Sequence, residues 1–318
     1  MGTTVSACAY RHADDIDGNA RADPNDLTGL ANVCVAQATS SLETCSAGYG
    51  DLQRGSLSNL LTAMQSTHRN IIRLLAEDEP GSVDALALAR LQLETLYAVC
   101  LMLEGPEYVN CYLREGWSKQ YMQFLLWREE YKGLPRFDEY LRGLPTTLGV
   151  LRNLLGITME QQMTIERDEL GVPLPAHVAA KCIPHFPTPH KAISKITSPD
   201  RKRMLERLYP EYRQLCSFSH GSAQSSFFKT IFNKRLPYRD LFGEPNTKET
   251  FNKQVVSAAF MMSFLSITQA SAELTQLYPG HVELRASVTM AWNALIKGSL
   301  LARAIWEIRT RRLLGIVA

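Results

Sequence analysis

The amino-acid sequence predicts an all-α fold, a multi-helix bundle, and three observations predict it. From Asp26 onward, apolar residues recur at three- and four-residue spacing almost everywhere. No alternating apolar and polar run of four residues escapes a helical reading as well, and no Asn-Gly or Asp-Gly pair joins two such runs. The strong breakers gather in a few places, chiefly Pro80-Gly81, Gly105-Pro106 and the stretch 171–199.

Residues 1–24 are rich in Ala, Asp, Gly and Thr and carry no period, so they are expected to form a mobile arm ahead of a single all-helical domain over 25–318. Asp26 is the expected N-cap of a first helix carrying Leu27, Leu30, Val33, Val35 and Leu42. A second helix is expected over Ser56–Ala76, striped by Leu57, Leu60, Leu61, Met64 and Ile71. Ser82 caps a third, with Leu86, Leu88, Leu91, Leu93, Leu96, Val99 and Leu103 on its apolar side. A fourth helix follows Gly105-Pro106 and runs to Tyr131. Its aromatic residues, Tyr108 to Trp127, read as packing because buried rings dominate core energetics. Arg136–Gly171 gives one long or two broken helices.

Six prolines between Gly171 and Pro199 exclude a continuous helix there. The expectation is an ordered loop with one short helix near Lys191–Ile196, dividing the chain without separating domains. Beyond it come helices over Pro199–Tyr209 and Glu211–Ser219, then a loop over Asn233–Pro245. Two long helices close the chain, Lys248–Leu277 and Val282–Leu314.

Composition excludes several function classes. The chain has 318 residues, 45% hydrophobic and 21% charged, which is ordinary for a globular protein. A formal net charge of +2 gives no mandate for nucleic acid or membrane, so any basic site must be local. Seven cysteines are an odd number with no Cys-x-x-Cys spacing, which argues against a disulfide framework or a zinc site and for reduced thiols in a cytoplasmic protein. The first thirty residues lack a basic start and an apolar run. The apolar stretch Val255–Ala272 is interrupted by Ser257, Ser263, Ser266, Thr268 and Gln269, so it reads as a buried helix and no membrane is expected. Phosphate-binding glycine loops, His-Glu-x-x-His and Gly-x-Ser-x-Gly are missing. His177, His185 and His190 lie eight and five residues apart without a companion ligand set, so neither metal nor cofactor is expected.

One segment carries chemistry, Tyr212-Arg213-Gln214-Leu215-Cys216-Ser217-Phe218-Ser219-His220-Gly221. Read as a helix entered after Pro210, it places Arg213 and His220 seven residues apart on one face, with Ser217 between them and Leu215 and Phe218 free to anchor the helix. A fixed guanidinium holds a phosphate oxygen and stabilises charge developing on it. A histidine beside it takes a proton from a ribose 2′-hydroxyl or gives one to a leaving 5′-oxygen. Structural readings stand beside this one. Arg213 could pair with Glu94, His220-Gly221 could be a helix C-cap, and Arg90 and Glu94, one turn apart, could form a local ion pair. Facing inward, Arg90 and Glu94 would instead orient Arg213 or His220. Basic residues flank the segment: Lys195, Arg201, Lys202, Arg203 and Arg207 before it, and Lys229, Lys234, Arg235 and Arg239 after it. Such a collar suits phosphate contacts, or is a solvated helix face.

Arg213-x6-His220 near a helix end resembles the Arg-x4-6-His motif of the HEPN superfamily of small helical bundles. More narrowly, Tyr212-Arg213-x-Leu215-x4-His220 is similar to the signature of a bacterial group related to abortive-infection proteins. An earlier helix in that group carries Arg-x-x-x-Glu, matched here by Arg90 and Glu94. The group commonly has Ser where this chain has Cys216. The resemblance implies a HEPN-like core with long flanking helices and a metal-independent endoribonuclease or toxin-like effector in bacterial defence or stress. It implies RNA as substrate, cleaved through a 2′,3′-cyclic phosphate, a homodimer, and a protein partner or antitoxin. Arg213 and His220 would be catalytic, with Tyr212, Ser217, Arg90 and Glu94 in support and Arg201, Lys202, Arg203, Lys229, Lys234 and Arg235 on RNA. The alternative is a non-catalytic helical scaffold that recognises a protein or a nucleotide.

Overall fold

A computed structural model of the chain describes residues 24–44, 50–76, 81–157, 186–219 and 247–316. They form α1 (Pro24–Thr44), α2 (Asp51–Ala76), α3 (Gly81–Met102), α4 (Pro106–Glu130), α5 (Asp138–Leu155), α6 (Pro189–Lys195), α7 (Pro199–Ser219), α8 (Thr247–Leu274), α9 (Val282–Gly298), α10 (Leu300–Ile305) and α11 (Arg311–Leu313). A 3-10 turn at Pro135–Phe137 precedes α5, and a π turn at Trp306–Thr310 joins α10 to α11. The fold is all-α, with no strand among the described residues. The arm expected over 1–24 and the loop over Asn233–Pro245 lie outside the described residues, save Pro24, which opens α1.

The chain clusters into two compact units, Met1–Glu104 with Pro189–Ala318, and Gly105–Thr188. In the first, α3 and α8 form the central pair, flanked by α1, α2, α7 and α9. α3 is buried almost continuously from Leu96 to Leu103, although Leu91 turns outward and is 44% exposed. An apolar stretch within it, Asp84–Met102, is long enough to cross a membrane by composition, and 67% of it is buried against neighbouring helices. α8 is the buried helix expected around Val255–Ala272. Two of its hydroxyls bond back into their own helix, Ser266 to the Met262 carbonyl (2.7 Å) and Ser271 to that of Ile267 (3.0 Å), whereas the Thr268 hydroxyl is buried without a hydrogen-bond partner. α9 buries Leu284, Val288, Ala291, Trp292 and Leu295 on one helical stripe.

Two expectations are corrected. Pro199–Tyr209 and Glu211–Ser219 are one helix, α7, because Pro210 sits on its exposed side, where the Glu206 carbonyl left without a donor can meet water. The expected helix over Val282–Leu314 is broken at Ser299, whose extended backbone and side chain, accepting from the Ala302 N–H (3.2 Å), start a new helix. One turn later the helix widens to the π turn.

In the second unit, α4 and α5 pack through Tyr121 and Leu125 on one side and Leu148, Leu151 and Leu155 on the other, joined by Trp117, Met122 and Phe124. The aromatic run therefore serves packing, and it continues into the connection, where Tyr131 and Phe137 stack at 4.1 Å. Gly156 closes α5 at φ 65°, a left-handed cap that glycine adopts without strain. Of the Pro-rich stretch, residues 186–199 are described, and α6 is its short helix.

Candidate functional site

α7 carries the segment singled out above, and its helical period sorts those residues onto different sides. Met204, Leu205, Leu208 and Leu215 are buried and fix the inner face, which packs on α3. Tyr212 lies at the edge of that face, and Arg213, about 100° further round, is exposed.

At the edge, the Tyr212 hydroxyl donates to Glu94 Oε1 (2.8 Å), and the same oxygen accepts from Arg90 (2.5 Å). The Arg90 guanidinium sits 5.8 Å from the Tyr212 ring centre, while its Nε is buried without a hydrogen-bond partner. Arg90 and Glu94 side chains are 16% and 29% exposed, so the cluster touches water. Burial works against the Arg90 charge, but the Tyr212 hydroxyl and the Glu94 carboxylate outweigh it and hold its pKa above the ordinary value. Burial pushes the Tyr212 phenol up, and hydrogen bonds with Cys216 and Glu94 push it further, so it stays a neutral donor.

Aromatic rings back this edge. Tyr212 meets Tyr97 edge-on at 6.1 Å and stacks on Tyr209 at 6.0 Å, and Tyr209 meets His190 of α6 at 5.6 Å. Tyr97 is held in place by its hydroxyl, which donates to the Leu205 carbonyl (2.7 Å).

The residues expected in the site, the basic run before the segment aside, fall into four groups. Arg90, Glu94 and Tyr212 are brought together. Arg213 is near them in sequence but faces solvent, without an ion-pair partner among the described residues; Glu94, considered above as its partner, is bonded to Arg90 and Tyr212 instead. Ser217 is half-buried and donates to the Gln214 carbonyl of its own helix (2.6 Å). His220, Lys229, Lys234 and Arg235 lie outside the described residues.

Of the collar before the segment, Lys202 is half-buried, and Arg203 is exposed and pairs with Asp200 at 2.5 Å. Arg201 departs from the expected phosphate-facing position, being 5% exposed inside unit 1. Its Nε donates to Glu273 (2.9 Å), one terminal nitrogen pairs with Glu104, and the other donates to Gln276 (2.8 Å). Arg309, from the π turn, clamps the same Glu273 with two bonds of 3.0 and 2.8 Å, and Thr310 reaches Gln269 (2.8 Å), which in turn donates to Glu273 (2.9 Å). Burial alone would raise the Glu273 pKa, yet the two arginines hold it below the usual carboxylate range. Glu104 also accepts from the Thr197 N–H (2.9 Å) and hydroxyl. Two guanidiniums face two carboxylates, so the charges balance, and none of the four side chains is more than 7% exposed.

Sequence reasoning missed Glu104, Glu273 and Arg309, whose meeting from just beyond α3, from α8 and from the π turn has no local signal. It also missed Tyr209, although its place one turn before Arg213 is a readable sign. Among the described residues, no group of three or more His, Cys, Asp or Glu is gathered to hold a metal. Compared with known proteins, the chain matches no family model, no curated protein and no solved structure. The chemistry on offer is an exposed guanidinium beside a half-open aromatic edge, braced from behind by an Arg–Glu–Tyr cluster.

Proposed function

We propose that this chain is a HEPN-like, metal-independent endoribonuclease or toxin-like effector of bacterial defence or stress, working in the cytoplasm as a homodimer under the control of a protein partner. One observation carries the reading. The two short motifs that prompted it, Arg90-x-x-x-Glu94 and Tyr212-Arg213, are 118 residues apart between Glu94 and Tyr212 and yet are hydrogen-bonded to each other, with Arg213 beside them in solvent.

In this reading Arg213 holds a non-bridging phosphate oxygen. His220 takes the proton from the ribose 2′-hydroxyl, the 2′-oxygen bonds to phosphorus, and the bond to the 5′-oxygen breaks as that oxygen accepts a proton. The products are a 2′,3′-cyclic phosphate and a 5′-hydroxyl. A dimer that faces two motifs together supplies one histidine for each proton transfer.

The test is incubation of the full chain with RNA in EDTA. The expected result is cleavage to cyclic-phosphate ends that falls by about 10²–10⁴ in His220→Ala, the range of a lost general acid or base. Cleavage that is absent in the wild type, or equal in the variant, overturns the reading. A second reading is favoured by the bonding of Glu94 to both Arg90 and Tyr212, which makes the cluster a cross-link between α3 and α7. The chain is then a non-catalytic scaffold that recognises a protein or nucleotide.

A further inference from the structure

We propose that Tyr209 and His190 form a stacking platform for one unpaired base beside the phosphate held by Arg213; this rests on the RNA-cleaving reading above for the role of Arg213.

The platform is built from four rings in contact. Tyr97 is innermost, 1% exposed and pinned by its bond to the Leu205 carbonyl. Tyr212 leans on it, Tyr209 stacks on Tyr212 with 29° between planes, and His190 meets Tyr209 at 43°. Exposure rises outward along the series, from buried Tyr97 to half-buried Tyr212 and Tyr209 to exposed His190. The outer rings are thus held by inner ones, and a base that lands on them need not freeze loose side chains. Every base offers a π-face, so such a surface takes any sequence but demands an unpaired base. In a duplex the bases are stacked inside and cannot reach it.

The position relative to Arg213 suits a nucleotide. Tyr209 and Arg213 are four residues apart in one helix, on one flank about 40° apart and about 6 Å along the axis. A base stands one sugar away from its phosphate, so one nucleotide can meet both. Lys202 shares that flank two turns earlier, where a neighbouring phosphate of the same strand would pass. Glu206, also on the flank and exposed, opposes it.

The test uses the full chain in EDTA and a short labelled 2′-O-methyl oligonucleotide, which cannot be cleaved, read by fluorescence anisotropy. It is compared with its duplex and with versions lacking one base at each position in turn. Wild type should bind the single strand at least about tenfold tighter than the duplex, and one missing base should cost about tenfold, within the range of one base–aromatic stack. Tyr209→Ala and His190→Ala should lose that sensitivity, while Tyr209→Phe keeps it. Arg213→Gln should weaken every oligonucleotide alike and flatten the salt dependence, and Glu206→Gln should tighten them all. His190 is exposed, so its variant answers even if Tyr209→Ala fails to fold. Equal binding of duplex, no binding, a flat base-removal series in wild type, or unchanged sensitivity in Tyr209→Ala or His190→Ala overturns the platform. Base-sensitive binding without RNA cleavage upholds it and removes the nuclease. Cleavage with a flat series does the reverse.

Discussion

The network around Glu273 ties α7 to α8 and the π turn, and the cluster around Glu94 ties α7 to α3, both through arginine and glutamate, yet their settings are opposite. Around Glu273 the acidic and basic partners are almost wholly buried, and Glu273 meets two guanidiniums and an amide. Around Glu94 the pair is partly wet and Arg90 Nε has no partner. Removing one member of a sealed ion network strands the rest without water, which costs far more than the network contributes net. Removing one member of a wet pair lets water replace it. The same two residue types thus make a structural lock in one place and an adjustable edge in the other.

The largest effect that would break this contrast is at Glu273. Glu273→Ala leaves Arg201 and Arg309 facing each other with only Glu104 to balance them, and should cost about 3–5 kcal/mol in urea unfolding; a loss under about 1 kcal/mol would erase the distinction.

His68 sharpens it by supplying burial without a counter-charge. It is 0% exposed among Phe260, Phe264 and Ser263, and burial lowers its pKa from 6.5 to about 4. The folded chain keeps it neutral while the unfolded chain protonates it. Stability from this group is therefore whole above pH 6.5 and falls as pH drops toward 4, by about 3 kcal/mol in all. Unfolding midpoints across that range, with His68→Phe as the flat control, measure it.

Smaller again is Tyr97→Phe, which removes the hydroxyl's bond to the Leu205 carbonyl and should cost about 1 kcal/mol, read as a shift in thermal midpoint. Smallest is Glu94→Gln, expected to change stability by less than about 1 kcal/mol. A loss matching that of Glu273→Ala would make both clusters locks.

Much of the fold was legible because burial follows the helical period. Leu57, Leu60, Leu61, Met64 and Ile71 all lie in the core, as their spacing implies. Pro210 misled because a breaker's effect depends on which side of the helix it occupies, and that is set by packing. The π turn had no signal, since it carries Arg309 and Thr310, which bond inward to Glu273 and Gln269, residues far off in sequence. At the site, Arg90, Glu94 and Tyr212 were legible through short motifs. Arg201 was not: a charge run reads as a wet collar, and only carboxylates 72 and 97 residues away make it an interior residue.

The bond from Thr197 to Glu104 has a topological consequence. The chain leaves the first unit just after Glu104 and is back in it, through α6, by Thr197. The stem of the detour over 105–188 is therefore stapled shut on the home side. Residues can be gained or lost within that detour without re-threading the helices it departs from, so lineages of this chain should vary most freely in length there.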